Sequence, residues 1–161
     1  MGLKFNGKEL SEIGIQIEVN GKAFYAEAEK NAKTPESRKL FGELKLQEEN
    51  HITAFKKIGE IEEAGGEPES YEGEFADYVK MFAGQNVFSQ QNRGAEAAKN
   101  AKSDAEVIEL ALGFEKESIL LYESMKSVVS SSSLKALQAL INEELKHVKY
   151  LLDLKSKFSR L

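Results

Sequence analysis

Apolar residues return every three or four positions through four long stretches of this chain, the mark of helices that each bury one face. The first stretch runs from about Asn6 to Ala32, with its stripe on Ile13, Ile17, Phe24 and Ala28. Thr34-Pro35-Glu36 reads as a break and restart: threonine can cap a helix start, and proline suits the first helical position. The second stretch continues through Leu40, Leu44, Ile52, Phe55 and Ile58 to about Ala64, where Gly65-Gly66 stops it. Ser103 or Asp104 can cap a third helix that runs to about Val129. Four consecutive serines, Ser130 to Ser133, make the next break, and Ser133 can cap the fourth helix. That helix carries Leu137, Leu140, Ile141, Leu145, Val148 and Leu151 and ends near Phe158.

Residues 67–103 differ in pattern. They hold Pro68, Gly73, Gly84 and Gly94, with short helices expected near Glu72–Phe82 and Asn92–Ala101. Phe75, Tyr78, Val79, Phe82, Val87 and Phe88 give the segment apolar groups to pack, so it reads as an ordered connection. The order is helix, short turn, helix, long crossover, helix, short turn, helix. The expected fold is all-α: a four-helix bundle of two antiparallel hairpins joined by a long crossover with short helices, as one domain over 1–161.

Composition narrows the chemistry. The chain has 161 residues, 41% hydrophobic and 30% charged, which suits a single globular domain. The formal net charge of −5 offers no general basic surface, so nucleic acid is not an expected partner. The absence of cysteine excludes disulfides, thiolate chemistry and cysteine-held iron–sulfur centres. No apolar run approaches the roughly 20 residues that span a bilayer, and the N-terminus lacks a signal-peptide apolar core. No membrane association is expected, and the default location is the cytoplasm.

The chain has two histidines, and each follows a glutamate by three positions: Glu48 and His51 in QEENH, Glu144 and His147 in EELKH. Positions i and i+3 share a helix face, with Cβ atoms about 5–6 Å apart, so each pair could grip one metal ion. The two halves of the chain also repeat, over about 6–64 and 104–158. Glu12-Ile-Gly-Ile-Gln-Ile-Glu18 matches Glu109-Leu-Ala-Leu-Gly-Phe-Glu115, and Tyr25 and Tyr122 each follow by seven. Each repeat supplies one glutamate from its first helix and one E-x-x-H from its second. The candidate metal ligands are therefore Glu18, Glu48, His51, Glu115, Glu144 and His147. Four carboxylates balance two divalent ions, and this oxygen and imidazole set suits iron or manganese, with zinc also accommodated. Without a cation, four carboxylates facing one core would cost several kcal/mol each.

The bland readings differ by residue. Glu49 and Glu143 lie about 100° around the helix from their neighbours and are expected to be solvated. Glu12 and Glu109 are expected at the surface. Tyr25 and Tyr122 are either core packing or partners of a ligand carboxylate.

The segments IQIEVNGKAFYAEA, FGELKLQEENHITAF, ALGFEKESILLYESM and LINEELKHVKYLLDL resemble the rubrerythrin-like branch of the ferritin-like di-iron carboxylate superfamily. This resemblance spans nearly the whole chain. It implies that Glu48 and Glu144 bridge two iron ions, with Glu18 and His51 on one and Glu115 and His147 on the other. It also implies redox chemistry with hydrogen peroxide or dioxygen, or oxidation of ferrous iron. Two features depart from rubrerythrins. The rubredoxin-like domain with its four cysteines is missing, so electrons would come from an external donor such as a rubredoxin-like protein. The additional glutamate one turn after the third-helix ligand is replaced by Ser118.

Three functional readings follow. The first is a non-haem di-iron oxidoreductase that reduces peroxide or dioxygen. The second is a ferroxidase or iron-handling protein. The third is a non-enzymatic bundle stabilised by a metal such as zinc. A homodimer is expected, with the crossover permitting exchange of helices.

Overall fold

Capping residues set the helix starts. The computed structural model describes residues 7–65, 81 and 92–159, and within them lie α1 (Gly7–Asn31), α2 (Pro35–Ala64), α3 (Arg93–Asn100), α4 (Asp104–Met125) and α5 (Ser131–Phe158). Thr34 caps α2, its hydroxyl accepting from the Ser37 amide at 3.1 Å, with Pro35 in the first turn. Ser103 caps α4 by accepting from the Glu106 amide at 3.2 Å, and the Glu106 carboxylate in turn accepts from the Lys102 amide at 2.8 Å. Asp104, the alternative cap, has a different task. Its buried carboxylate accepts from the amides of Lys33 and Thr34 at 2.8 and 3.0 Å, tying the α1–α2 turn to the start of α4.

Two expectations at the second turn are corrected. The third long helix ends at Met125, not Val129. From there the Lys126 and Val128 amides bond carbonyls three residues back, at 3.3 and 2.9 Å, which tightens the chain into a turn. Val128 and Val129 are buried by that turn, so apolar residues continue where the helix does not. Ser130 occupies the N-cap position of α5, and Ser133 lies within the helix. The Ser133 hydroxyl donates to Glu62 instead, as do the Ser130 amide at 3.0 Å and hydroxyl at 2.6 Å.

Facing residues give the topology. Along α1 and α2, Ser11 meets Gly59, Gly14 meets Phe55, and Gly21 meets Glu48, so the two helices run antiparallel. A side chain at Gly14 would strike the Phe55 ring, and one at Gly21 would strike Phe114 and Glu48. These glycines therefore let α1 approach its neighbours closely. Contacts of Tyr25 with Glu115 and Tyr122 with Glu18 set α4 antiparallel to α1. Contacts of Lys126 with Gln138 at 2.8 Å and His147 with Glu115 at 3.4 Å set α5 antiparallel to α4. It follows that α2 and α4 are parallel. The end of α2 and the start of α4 therefore lie at opposite ends of the bundle, about 45 Å apart along the axis for 30 helical residues at 1.5 Å each. The short helix α3 precedes α4 and packs on α1. It begins after Asn92, whose φ of 70° is a left-handed conformation that asparagine tolerates. The expected helix near Glu72–Phe82 and its aromatic residues lie outside the described residues, Met81 excepted.

The core is one apolar cluster drawn from all five helices, including Ile17, Phe24, Phe41, Phe55, Ala98, Phe114, Leu121 and Leu151. Leu145, expected in the stripe of α5, is 52% exposed. The inward line of that helix runs through Leu140, Glu144, His147, Leu151 and Leu154, and Leu145 stands one residue to the side of it.

Candidate metal centre

All six predicted residues meet in the middle of the bundle. Glu18 projects from α1, Glu48 and His51 from α2, Glu115 from α4, and Glu144 and His147 from α5. Each is at most 4% exposed. Their ligand atoms form two groups, Glu18, Glu48, His51 and Glu144, and then Glu48, Glu115, Glu144 and His147; within each group the atoms lie within 4.8 Å of one another. Glu48 and Glu144 belong to both. The imidazole rings are nearly parallel, 14° apart in plane, with centroids separated by 5.2 Å. Glu49 and Glu143 point away, to Lys22 at 3.2 Å and Lys146 at 2.7 Å. Glu12 and Glu109 are exposed.

Polar bonding inside the cluster is incomplete. The Nδ1 atom of His51 lies 2.9 Å from Glu144 and 3.4 Å from Glu18, and Nδ1 of His147 lies 3.0 to 3.5 Å from Glu144, Glu115 and Glu48. Neither nitrogen is aligned to make a hydrogen bond. Both oxygens of Glu48, both of Glu144, and one each of Glu18 and Glu115 also lack a partner. Buried polar atoms are nearly always bonded, because an unpartnered one costs about 1–3 kcal/mol and more when charged. Here eight of them converge on one point. Six carboxylate oxygens and two imidazole nitrogens, with charge to balance two divalent ions, fit a pair of metal ions.

The electrostatics agree. Burial and the facing carboxylates Glu18, Glu144 and Glu115 push Glu48 well above the usual carboxylate range. Burial, followed by Glu144, lifts Glu115 to about 8. Burial disfavours protonated imidazoles, but contact with Glu144 and Glu18 outweighs it and raises His51 to about 10, and Glu115 and Glu144 do the same for His147. Burial likewise works against the charged Glu144, and both imidazoles more than reverse it, holding that carboxyl low. The metal-free centre thus retains protons that the unfolded chain would release. For a raised histidine the stabilisation is complete below about 6.5 and is lost as pH rises through about 10; Glu115 adds a penalty that grows from about 4.5 to about 8. The depressed Glu144 acts only below about pH 4.5. The urea midpoint of metal-free protein should therefore fall between pH 6.5 and 9. A midpoint that rises over that interval would contradict this charge arrangement.

The backbone of this chain superposes well on a crystal structure of a Thermotoga maritima protein described as a candidate ferritin-like diiron-carboxylate protein. The TM-score is 0.70 at 25% identity, covering 97% of this chain and 98% of that one. The fold is ferritin-like. No family model and no curated protein matches the sequence. On this ferritin-like scaffold the buried Glu and His cluster occupies the bundle core, between the two hairpins.

The tyrosines cross between the repeats. Tyr25 donates to Glu115, and Tyr122 donates to Glu18, so each phenol holds a carboxylate of the other half. Burial, then the partner carboxylate, pushes both phenols well above their usual range and keeps them as donors. Tyr25 packs edge-on to Phe24 and Phe114, and Tyr122 edge-on to Phe55. Tyr122→Phe would leave both Glu18 oxygens buried without partners. It should destabilise the metal-free protein by about 1–3 kcal/mol in urea unfolding. Equal stability of the two proteins would mean that the bond does not form in solution.

Two residues beyond the six also belong here. Gln47 accepts from Nε2 of His147 at 2.7 Å; nothing in its spacing marks it, apart from its place beside Glu48. Ser118 lies one turn beyond Glu115, 1% exposed, with its hydroxyl unpartnered. Its counterpart in the first repeat is Gly21.

Proposed function

We propose that this protein is a di-iron carboxylate oxidoreductase that reduces hydrogen peroxide or dioxygen with electrons from an external donor. The observation that carries the reading is the convergence of eight unpartnered ligand atoms from six buried Glu and His side chains. Glu18 and His51 would hold one ion, Glu115 and His147 the other, and Glu48 and Glu144 would bridge them. Iron held there supplies reversible one-electron chemistry and open coordination positions for the oxidant. The chain's own residues prepare the site. Tyr25 and Tyr122 fix the outer carboxylates, Phe55 and Phe114 wall the core against water, and Gln47 orients one imidazole. The 161 residues carry no cysteine-held redox centre, and the reading gives the electron supply to an external donor, such as a rubredoxin-like protein or a small reductant.

Anaerobic loading with ferrous iron followed by peroxide titration tests this. Two ferrous ions per chain should be oxidised by one peroxide, and a chemical reductant should restore them for further rounds. Uptake of ferrous ion far beyond two per chain would identify iron as substrate rather than resident cofactor. A colourless, zinc-filled protein inert to peroxide would overturn redox function.

A further inference from the structure

We propose that Gln47 is a positioning residue that makes the two halves of the centre unequal, so that the ion on Glu115 and His147 is bound more tightly than the one on Glu18 and His51. This rests on the two-metal reading. The candidate ligands and the tyrosines of the repeats are matched: Glu18 with Glu115, Tyr25 with Tyr122, Glu48 with Glu144, His51 with His147. Even the tyrosine bonds are exchanged symmetrically. The match fails behind the histidines.

Gln47 on α2 reaches across to α5, where its carboxamide oxygen lies 2.7 Å from Nε2 of His147. An amide oxygen only accepts, so Nε2 keeps its hydrogen. In a neutral imidazole that leaves the lone pair on Nδ1, the atom that faces Glu144, Glu115 and Glu48 at 3.0, 3.4 and 3.5 Å. The bond therefore selects the tautomer that can ligate, and it fixes the plane of the ring. The matching position in the second repeat, immediately before Glu144, is Glu143. It does not reach His51. Its carboxylate pairs with Lys146 on the same helix at 2.7 Å, and its side chain is 43% exposed. His51 thus lacks from its repeat partner the orienting bond that His147 receives. The burial differs in the same sense, 4% exposure for His51 and none for His147. Partners of this kind behind a metal-binding histidine typically change affinity about 10–100-fold.

Titration of metal-free protein with cobalt(II), followed by its visible absorbance and by calorimetry, tests the inference. Wild type should bind two ions in two resolved steps. Gln47→Leu should weaken the tighter step about 10–100-fold and leave the weaker one unchanged. Gln47→Glu, which restores an acceptor, should restore the order of filling. A second readout does not depend on affinity: in zinc-loaded protein the His147 Nε2–H proton should exchange slowly with solvent, and Gln47→Leu should speed that exchange while leaving His51 unchanged. Gln47→Asn, which keeps the polarity but shortens the reach, should repeat the selective loss if the leucine variant does not fold. Equal weakening of both steps, or no change in either, would overturn the role of Gln47. Wild type that takes up fewer than two cobalt ions would instead overturn the two-metal reading.

Discussion

Glu144→Ala should strip both metal ions from the centre, not one. Its carboxylate belongs to both ligand groups, with one oxygen 2.9 Å from His51 Nδ1 and the other 3.0 Å from His147 Nδ1. Removing it takes a ligand from each ion and uncovers the charge between them. Glu48→Ala should do the same, since Glu48 is also shared. It is the cleaner test of folding, because its carboxylate lies 3.5 Å from His147 Nδ1, whereas Glu144 sits at 2.9 and 3.0 Å from the two imidazoles and holds their charge. Glu18→Ala is the contrast: it removes a ligand from one group only, so one tightly held ion should remain. Elemental analysis after equilibrium dialysis gives the count directly. Two ions per chain in either shared-residue variant would show that the bridging assignment is wrong.

Metal removal should lower the melting temperature by about 10–20 °C. Each ion present at about a hundred times its dissociation constant adds about 2.7 kcal/mol to the folded state. Two ions add about 5 kcal/mol, and a domain of this size shifts by about 2–4 °C per kcal/mol. The structural reason is local. The metal-free core holds four carboxylates without their counter-ions, and its imidazoles must carry the compensating charge. Calorimetry before and after chelation measures the difference. An unchanged melting temperature in protein shown to have lost two ions would mean that the centre contributes nothing to the fold.

The fold was legible because local and long-range rules agree on it. Thr34, Pro35 and Ser103 announce helix starts by chemistry that needs no tertiary context, and they act as expected. The six centre residues were legible for a different reason: duplication. A glutamate on an apolar stripe could be chance, but the same glutamate at matching offsets in two repeats points to one site. What escaped detection depends on packing between helices. Val128 and Val129 continue the apolar pattern past Met125, and only the tight turn there ends the helix. Leu145 fits a three- to four-residue step yet falls outside the line of contact. The tyrosines could be read as partners of a ligand carboxylate, but not of which one. They reach the opposite repeat because α1 and α4 lie antiparallel, a relation that spacing along one helix does not contain. Gln47 could not be recognised, because the histidine it orients lies 100 residues away.

The crossed phenols have a consequence for assembly. Neither hairpin owns a complete ligand group: the first carries Glu18, Glu48 and His51 but borrows Glu144, while the second carries Glu115, Glu144 and His147 but borrows Glu48. Each hairpin also lends its tyrosine to the other's carboxylate. A half-chain that has formed its own two helices therefore holds an unfinished claw. Only when the hairpins close on one another in the right register do both grips appear together. A metal ion bound there would double as a checkpoint on docking, rewarding the one alignment of the two halves that completes the buried Glu and His cluster.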